Sequence, residues 1–179
     1  MEKKLYLDAT EFLRDTWRLG RAILDSNWRP DVLIALWRGG ATPGVAIHEF
    51  LKFHGMSVRH MPVKCSSYTG IEQSNTEVAF DHADGALATL APGEKVLVVD
   101  DVFDTGRTAA AVHSIMQRLG CEMKMACVYW KPSKNVTQYR PDFYVKAIEE
   151  WIVFPHEMEG LTHDEIIEKD SQLARLVKC

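Results

Sequence analysis

Val96-Leu97-Val98-Val99 is an unbroken β-favouring run that leads directly into Asp100-Asp101-Val102-Phe103-Asp104-Thr105-Gly106-Arg107-Thr108. A strand apolar at successive positions suits burial on both faces, the situation of a parallel strand covered by helices on either side. A helix predicted over 108–119 follows it, so strand, acidic turn and helix stand in immediate succession.

The rest of the chain repeats this alternation. Apolar periodicity predicts a first helix over 10–24, with Phe12, Leu13, Trp17, Leu19 and Ile23 near one face and Asp8 with Glu11 as a capping pair. Residues 32–36 read as a buried strand, Arg38-Gly39-Gly40 as a loop, and Pro43 as the opening of a helix through residue 53. Strands are predicted over 58–64, 125–130 and 143–145, a polar loop over 65–75, and a C-terminal helix over 161–176. The fold class expected is therefore α/β, a central parallel sheet flanked by helices, with ligands beyond the carboxyl ends of the strands. At 179 residues, without repeats or low-complexity segments, one domain is expected over 1–179.

Bulk properties exclude several classes. The longest apolar run, 32–37, falls far short of the ~20 residues of a spanning helix, and the N-terminus leads into no signal-like stretch, so no membrane partner and a cytoplasmic location are expected. A net charge of −4, from 21 basic and 25 acidic residues, argues against nucleic-acid binding. The four cysteines show no C-x-x-C spacing, so neither a zinc site nor a disulfide framework is indicated.

Chemistry concentrates after Val99. Thr105, Gly106 and Thr108 offer hydroxyls and free amides at a helix N-terminus, which suit a phosphate, while Asp100 and Asp101 can accept hydrogen bonds from sugar hydroxyls. Singly, each feature has a plain alternative: the aspartates can cap a turn and Thr-Gly can merely start a helix. Three carboxylates in one turn, however, repel one another unless a cation or a polyhydroxyl ligand occupies the site. Other phosphate and metal motifs fail: Val45 and Ala46 stand where a P-loop needs Lys and Ser/Thr, no G-x-G-x-x-G follows a strand, and Gly160 replaces the second histidine after His156-Glu157.

The stretch from Val96 to Thr108 resembles the signature by which type I phosphoribosyltransferases bind phosphoribosyl pyrophosphate (PRPP): β-branched residues, two acids, two variable positions, then Asp-Thr-Gly-x-Thr. The resemblance implies that Asp100 and Asp101 bind the ribose hydroxyls, that Asp104, Thr105, Gly106, Arg107 and Thr108 wrap the 5-phosphate, and that Asp104 is also catalytic, near N7 of a purine. Arg38 and Gly39 resemble the pyrophosphate loop of the xanthine and hypoxanthine enzymes, where the entering peptide, here Trp37-Arg38, is commonly cis. Ser67 and Tyr68 resemble the start of the mobile lid over pyrophosphate. Lys131, Trp151 and Ile152 resemble the purine-binding set: Lys131 donating to O6, Trp151 stacking on the ring, the Ile152 backbone reading the pyrimidine edge. The family resemblance further implies a small C-terminal purine-binding hood, Mg²⁺ as cofactor, with Asp101 and Glu157 as candidate contacts, PRPP and a purine base as partners, and a homodimer or homotetramer.

Two departures from the family pattern stand out: Asp100 where many purine enzymes have Glu, as in the xanthine-guanine group, and Phe103 where a small residue is common. The implied function is phosphoribosyl transfer to N9 of hypoxanthine, guanine or xanthine in purine salvage. The alternative from another class is a PRPP-sensing transcriptional regulator, for which no winged helix or basic recognition helix precedes Val32. A donor-only Lys131 disfavours adenine, which presents an amino group instead of O6.

Overall fold

The computed structural model describes residues 4–69, 76–81 and 84–177. In chain order the elements are β1 (Lys4–Tyr6), α1 (Ala9–Asp25), β2 (Val32–Trp37), α2 (Ala41–Phe53), β3 (Arg59–Thr69), β4 (Thr76–Asp81) and α3 (Asp84–Leu87), then β5 (Lys95–Phe103), α4 (Arg107–Arg118), β6 (Glu122–Trp130), β7 (Phe143–Ala147), β8 (Trp151–Val153), α5 (His163–Lys169) and α6 (Ser171–Leu176). They fall into two compact units, Leu13–Glu149 and the N-terminal segment through Phe12 together with the segment from Glu150 onward.

The larger unit holds a six-stranded sheet in the order β4-β3-β2-β5-β6-β7, with β3, β2, β5, β6 and β7 mutually parallel and β4 antiparallel at the edge. Burial on both faces explains the continuous apolar strands. Val32, Ile34, Leu36, Val96 and Val98 pack on one side with Ala109, Val112 and Met116 of α4, while Ala35 of β2 meets Gly44 of α2 on the other. Because these strands run in one direction, the carboxyl ends of β2, β5 and β6 lie along one edge of the sheet.

In the smaller unit β1 pairs in parallel with β8, matching Lys4 to Trp151 and Tyr6 to Val153. Phe12 packs edge-on against Phe154 at 5.4 Å between ring centroids. A capping box closes the start of α5, where Thr162 and Glu165 each satisfy the other's backbone amide.

Several elements differ from expectation for identifiable reasons. Trp17, placed on the apolar face of the first helix by periodicity, is 43% exposed, whereas Asp15 and Thr16 are buried. Asp15 tolerates this because Tyr129 Oη donates to it at 2.9 Å, with Lys146 Nζ at 3.0 Å and Arg18 Nη1 at 2.6 Å. Pro43 is the third residue of α2, whose first turn begins at Ala41. The polar stretch expected as a loop from Cys65 begins as strand, because β3 runs on to Thr69 and pairs residue by residue with β4. The single C-terminal helix is two, since the Asp170 carboxylate takes the amides of Gln172 and Leu173 and restarts the chain as α6.

Candidate active site

The two aspartates lie in β5 itself and not in a turn. Pairing with β6 continues past Val99, matching Asp100 to Cys127, Val102 to Tyr129 and Phe103 to Trp130, so the ladder keeps this backbone extended. The turn is confined to the short interval between Phe103 and Arg107. Phe103, one of the departures noted above, is buried in the core and lies beneath Gly106, so its bulk is taken up by packing.

Asp100 and Asp101 both touch the Arg38-Gly39-Gly40 loop. Gly39 stands so close to Asp101 that a Cβ there would lie 2.4 Å from Oδ2 and 2.5 Å from Oδ1, a spacing only glycine permits. Asp101 Oδ1 accepts a hydrogen bond from the Val102 amide at 2.7 Å, and Asp100 Oδ1 accepts from the Asp101 amide at 3.0 Å. The Asp100 carboxylate also accepts from the Gly40 amide. Burial pushes the Asp100 carboxyl well above the ordinary aspartate range, and the neighbouring Asp101 charge adds to the rise. A cation or a set of hydroxyl donors entering here would relieve both effects. The peptide Trp37-Arg38 that opens the loop is cis, and Arg38 is exposed at its tip.

Beyond the acids the chain enters α4 through Gly106, whose φ of +77° is left-handed. The loop after β6 backs this turn: Val136 N donates to Thr105 O at 3.0 Å, and a Cβ on Gly106 would lie 2.5 Å from both Asn135 Oδ1 and Thr137 Oγ1. Gly106 gives α4 no side-chain cap, and only a long 3.4 Å bond to Thr105 Oγ1 engages the Arg107 amide, so this helix N-terminus suits an anion. Asp100, Asp104, Thr105, Gly106 and Thr108 line a cavity of about 80 Å³ here. It is small beside the ~300 Å³ or more of pockets for whole organic ligands, and so suits a single compact group.

Asp104 is 39% exposed as a side chain, yet its Oδ1 is buried without a hydrogen-bond partner among the described residues. Its Oδ2 lies 3.9 Å from Lys131 Nζ. Lys131 is 4% exposed, and its amide donates to Phe103 O at 2.9 Å, which ties the end of β6 to the end of β5. A buried, unpartnered acceptor next to a buried ammonium is costly in an empty protein and ordinary in a ligand site.

The fold thus brings Arg38, Gly39, Asp100, Asp101, Asp104, Thr105, Gly106, Arg107, Thr108 and Lys131 to one sheet edge. Ser67 and Tyr68 lie on the backbone of β3; their side chains, and residues 70–75 of the expected polar loop, are outside the described part. Trp151, Ile152 and Glu157 belong to the smaller unit. There Ile152 is buried, Trp151 is 49% exposed, and Trp151 and Glu157 line a pocket of about 410 Å³ together with Lys4 and Glu165. Glu157 Oε2 accepts from the Phe154 amide at 3.0 Å and closes the turn after β8. Sequence reasoning missed Asn135 and Thr137 behind the Gly106 turn, and the bond from Tyr129 of β6 to the buried Asp15. Nothing in their spacing marks them.

The family model for the phosphoribosyl transferase domain matches residues 4–162. The chain belongs to this family. A purine phosphoribosyltransferase from Pyrococcus horikoshii is 30% identical over 90% of this chain and 98% of that one, with a TM-score of 0.71. A hypothetical protein from Neisseria gonorrhoeae with bound ppGpp shares 19% identity over 99% of each chain at a TM-score of 0.75. A hypoxanthine phosphoribosyltransferase from Staphylococcus aureus shares 19% identity over 82% of this chain and 78% of that one, at 0.68. The five parallel strands flanked by helices are the type I phosphoribosyltransferase fold, and the chain is a phosphoribosyltransferase enzyme. No helix among the described residues of this phosphoribosyltransferase is long and apolar enough to cross a membrane.

Proposed function

We propose that the enzyme transfers the 5-phosphoribosyl group of PRPP to N9 of a 6-oxopurine, releasing pyrophosphate, in purine salvage. The observation that carries this reading is the buried, unpartnered Oδ1 of Asp104 beside the buried Lys131 ammonium. Together they offer an acceptor for a purine N7 proton and a donor for O6, whereas adenine would set an amino group against a lysine that has only donors. The 30% identity to a purine phosphoribosyltransferase supports the same substrate class.

In this reading the α4 amides and the hydroxyls of Thr105 and Thr108 hold the 5-phosphate, while Asp100 and Asp101 accept from the ribose hydroxyls. Arg38 and the amides around Gly39 hold the pyrophosphate, where negative charge accumulates as its bond to C1 breaks and C1–N9 forms, so this loop supplies the largest electrostatic contribution. Asp104 takes up the base's proton as N9 attacks. Trp151 stacks on the purine, the Ile152 backbone reads its pyrimidine edge, and Ser67 with Tyr68 shields the sugar cation from water.

Magnesium fits the donor set. No group of three or more acidic, histidine or cysteine side chains able to hold a metal occurs among the described residues, but the partly buried Asp100 and the buried Asp101 beside it supply hard oxygen donors. Mg²⁺ commonly binds one or two carboxylates and completes its shell with substrate oxygens and water. Asp101 would contact it, with Glu157 kept as a second candidate, and the ion would neutralise the departing pyrophosphate. A homodimer or homotetramer in the cytoplasm belongs to the same proposal.

The test is direct: incubate the protein with PRPP, magnesium and each of hypoxanthine, guanine, xanthine and adenine, and follow nucleotide formation. Turnover of at least one 6-oxopurine with little or none of adenine is expected. Preference for adenine, or turnover of no purine, would overturn the assignment.

A further inference from the structure

Three arginines, Arg14, Arg18 and Arg21, follow one another at spacings of four and three along α1 and so share one helix face. Trp17 lies among them, 43% exposed. Across from this face stand Phe50 of α2 and His54 just past its end, whose ring centroids are 4.6 Å apart. Gly20 allows the approach, since a Cβ on it would lie 3.0 Å from the Phe50 ring. These residues line an open cleft of about 420 Å³.

The cleft is basic and aromatic in a chain whose net charge is −4, and its lining contains no carboxylate. Arg18 reaches outward from the buried Asp15 and is 64% exposed, and Arg21 pairs with Asp25 in an ion pair more than half exposed on both sides. Exposed pairs of this kind are weakly held and yield readily to a multivalent anion. Arg14 has no ion pair among the described residues. Trp17, 43% exposed on the same helix face as the three arginines, offers an aromatic surface on which a planar base can stack.

We infer that this α1–α2 cleft is a second nucleotide site, remote in sequence from the β5–α4 cradle, which takes a nucleoside polyphosphate with its phosphates on Arg14, Arg18 and Arg21 and its base against Trp17. A base alone finds no reason for three cations there, and a polyphosphate alone makes no use of the exposed indole.

The full chain would be titrated calorimetrically with magnesium-free ATP and, separately, with tripolyphosphate, using wild type, the double variant Arg14→Ala/Arg21→Ala, and Trp17→Ala. All of these positions are solvent-facing, so melting temperatures should stay close to wild type and confirm folding. Removal of two guanidinium groups should weaken ATP binding by roughly tenfold or more. Trp17→Ala should weaken ATP by about fivefold or more while changing tripolyphosphate by less than about twofold. Equal ATP affinity in wild type and the double variant would place ATP in the β5–α4 cradle instead and overturn the inference. So would wild type that fails to bind ATP, or that binds tripolyphosphate as tightly as ATP.

Discussion

Gly39→Ala isolates the contact between the Arg38-Gly39-Gly40 loop and the acidic pair. The added methyl would lie 2.4 to 2.5 Å from the Asp101 carboxylate atoms, about 1 Å inside ordinary van der Waals contact. The loop and β5 are both backbone-anchored, so the carboxylate has to give way, and in doing so it loses the 2.7 Å bond from the Val102 amide. A charged acceptor of this kind is worth about 1.5–3 kcal/mol, whether its donor is an amide or a ribose hydroxyl. Loss of the hydroxyl contact therefore predicts a rise in KM for PRPP of about 10- to 150-fold, at 1.4 kcal/mol per tenfold. Overpacking should also lower Tm by several degrees, since each ~1 kcal/mol corresponds to roughly 2–4 °C in a chain of this size. Steady-state kinetics with PRPP varied, alongside a thermal melt, measures both. A KM within about twofold of wild type at unchanged Tm would show that Asp101 neither resists the methyl nor meets the ribose, and would refute the reasoning.

Asp104→Asn keeps shape but loses the proton acceptor, so kcat should fall by about 10²- to 10⁴-fold with PRPP affinity nearly intact; unchanged turnover in rapid-quench assays would remove its role. Lys131→Ala should chiefly raise the KM for the base, and an effect confined to PRPP would misplace the purine. Asp15→Asn should cost about 2 kcal/mol at pH 7, because the buried Tyr129 hydroxyl loses a charged acceptor and two half-exposed cations lose a partner. Burial alone would raise the Asp15 carboxyl, but Lys146, Tyr129 and Arg18 outweigh it and hold it below the ordinary value of 3.8. Its stabilisation is therefore complete above that range and lost as pH falls through the lowered value, so the gap in Tm between wild type and variant should close in acid. A gap that is constant or widens toward low pH would contradict this sign.

What was legible in the amino-acid sequence is what local chemistry dictates. The buried strand at Val96, a helix following the acidic stretch and the alternation that makes the sheet parallel all follow from residue types a few positions apart. So does the grouping of Asp104, Thr105 and Thr108, because a strand-turn-helix places neighbours in sequence together in space. The continuation of β3 past Cys65 and the break at Asp170 are not legible in sequence because each depends on competition for hydrogen bonds, in one case from a facing strand and in the other from a side chain.

Pairing with β6 decided that Asp100 and Asp101 are strand residues and not turn residues, since a ladder is formed with a partner 27 positions further along the chain in the case of Asp100 and Cys127. Packing alone set Gly39 against Asp101, Lys131 beside Asp104, and Asn135 with Thr137 behind Gly106. The sequence by itself determined which groups are chemically able to meet a sugar phosphate. Only tertiary structure decided which of them share a neighbourhood, because charge, burial and reach depend on through-space distances that no pattern along the chain encodes.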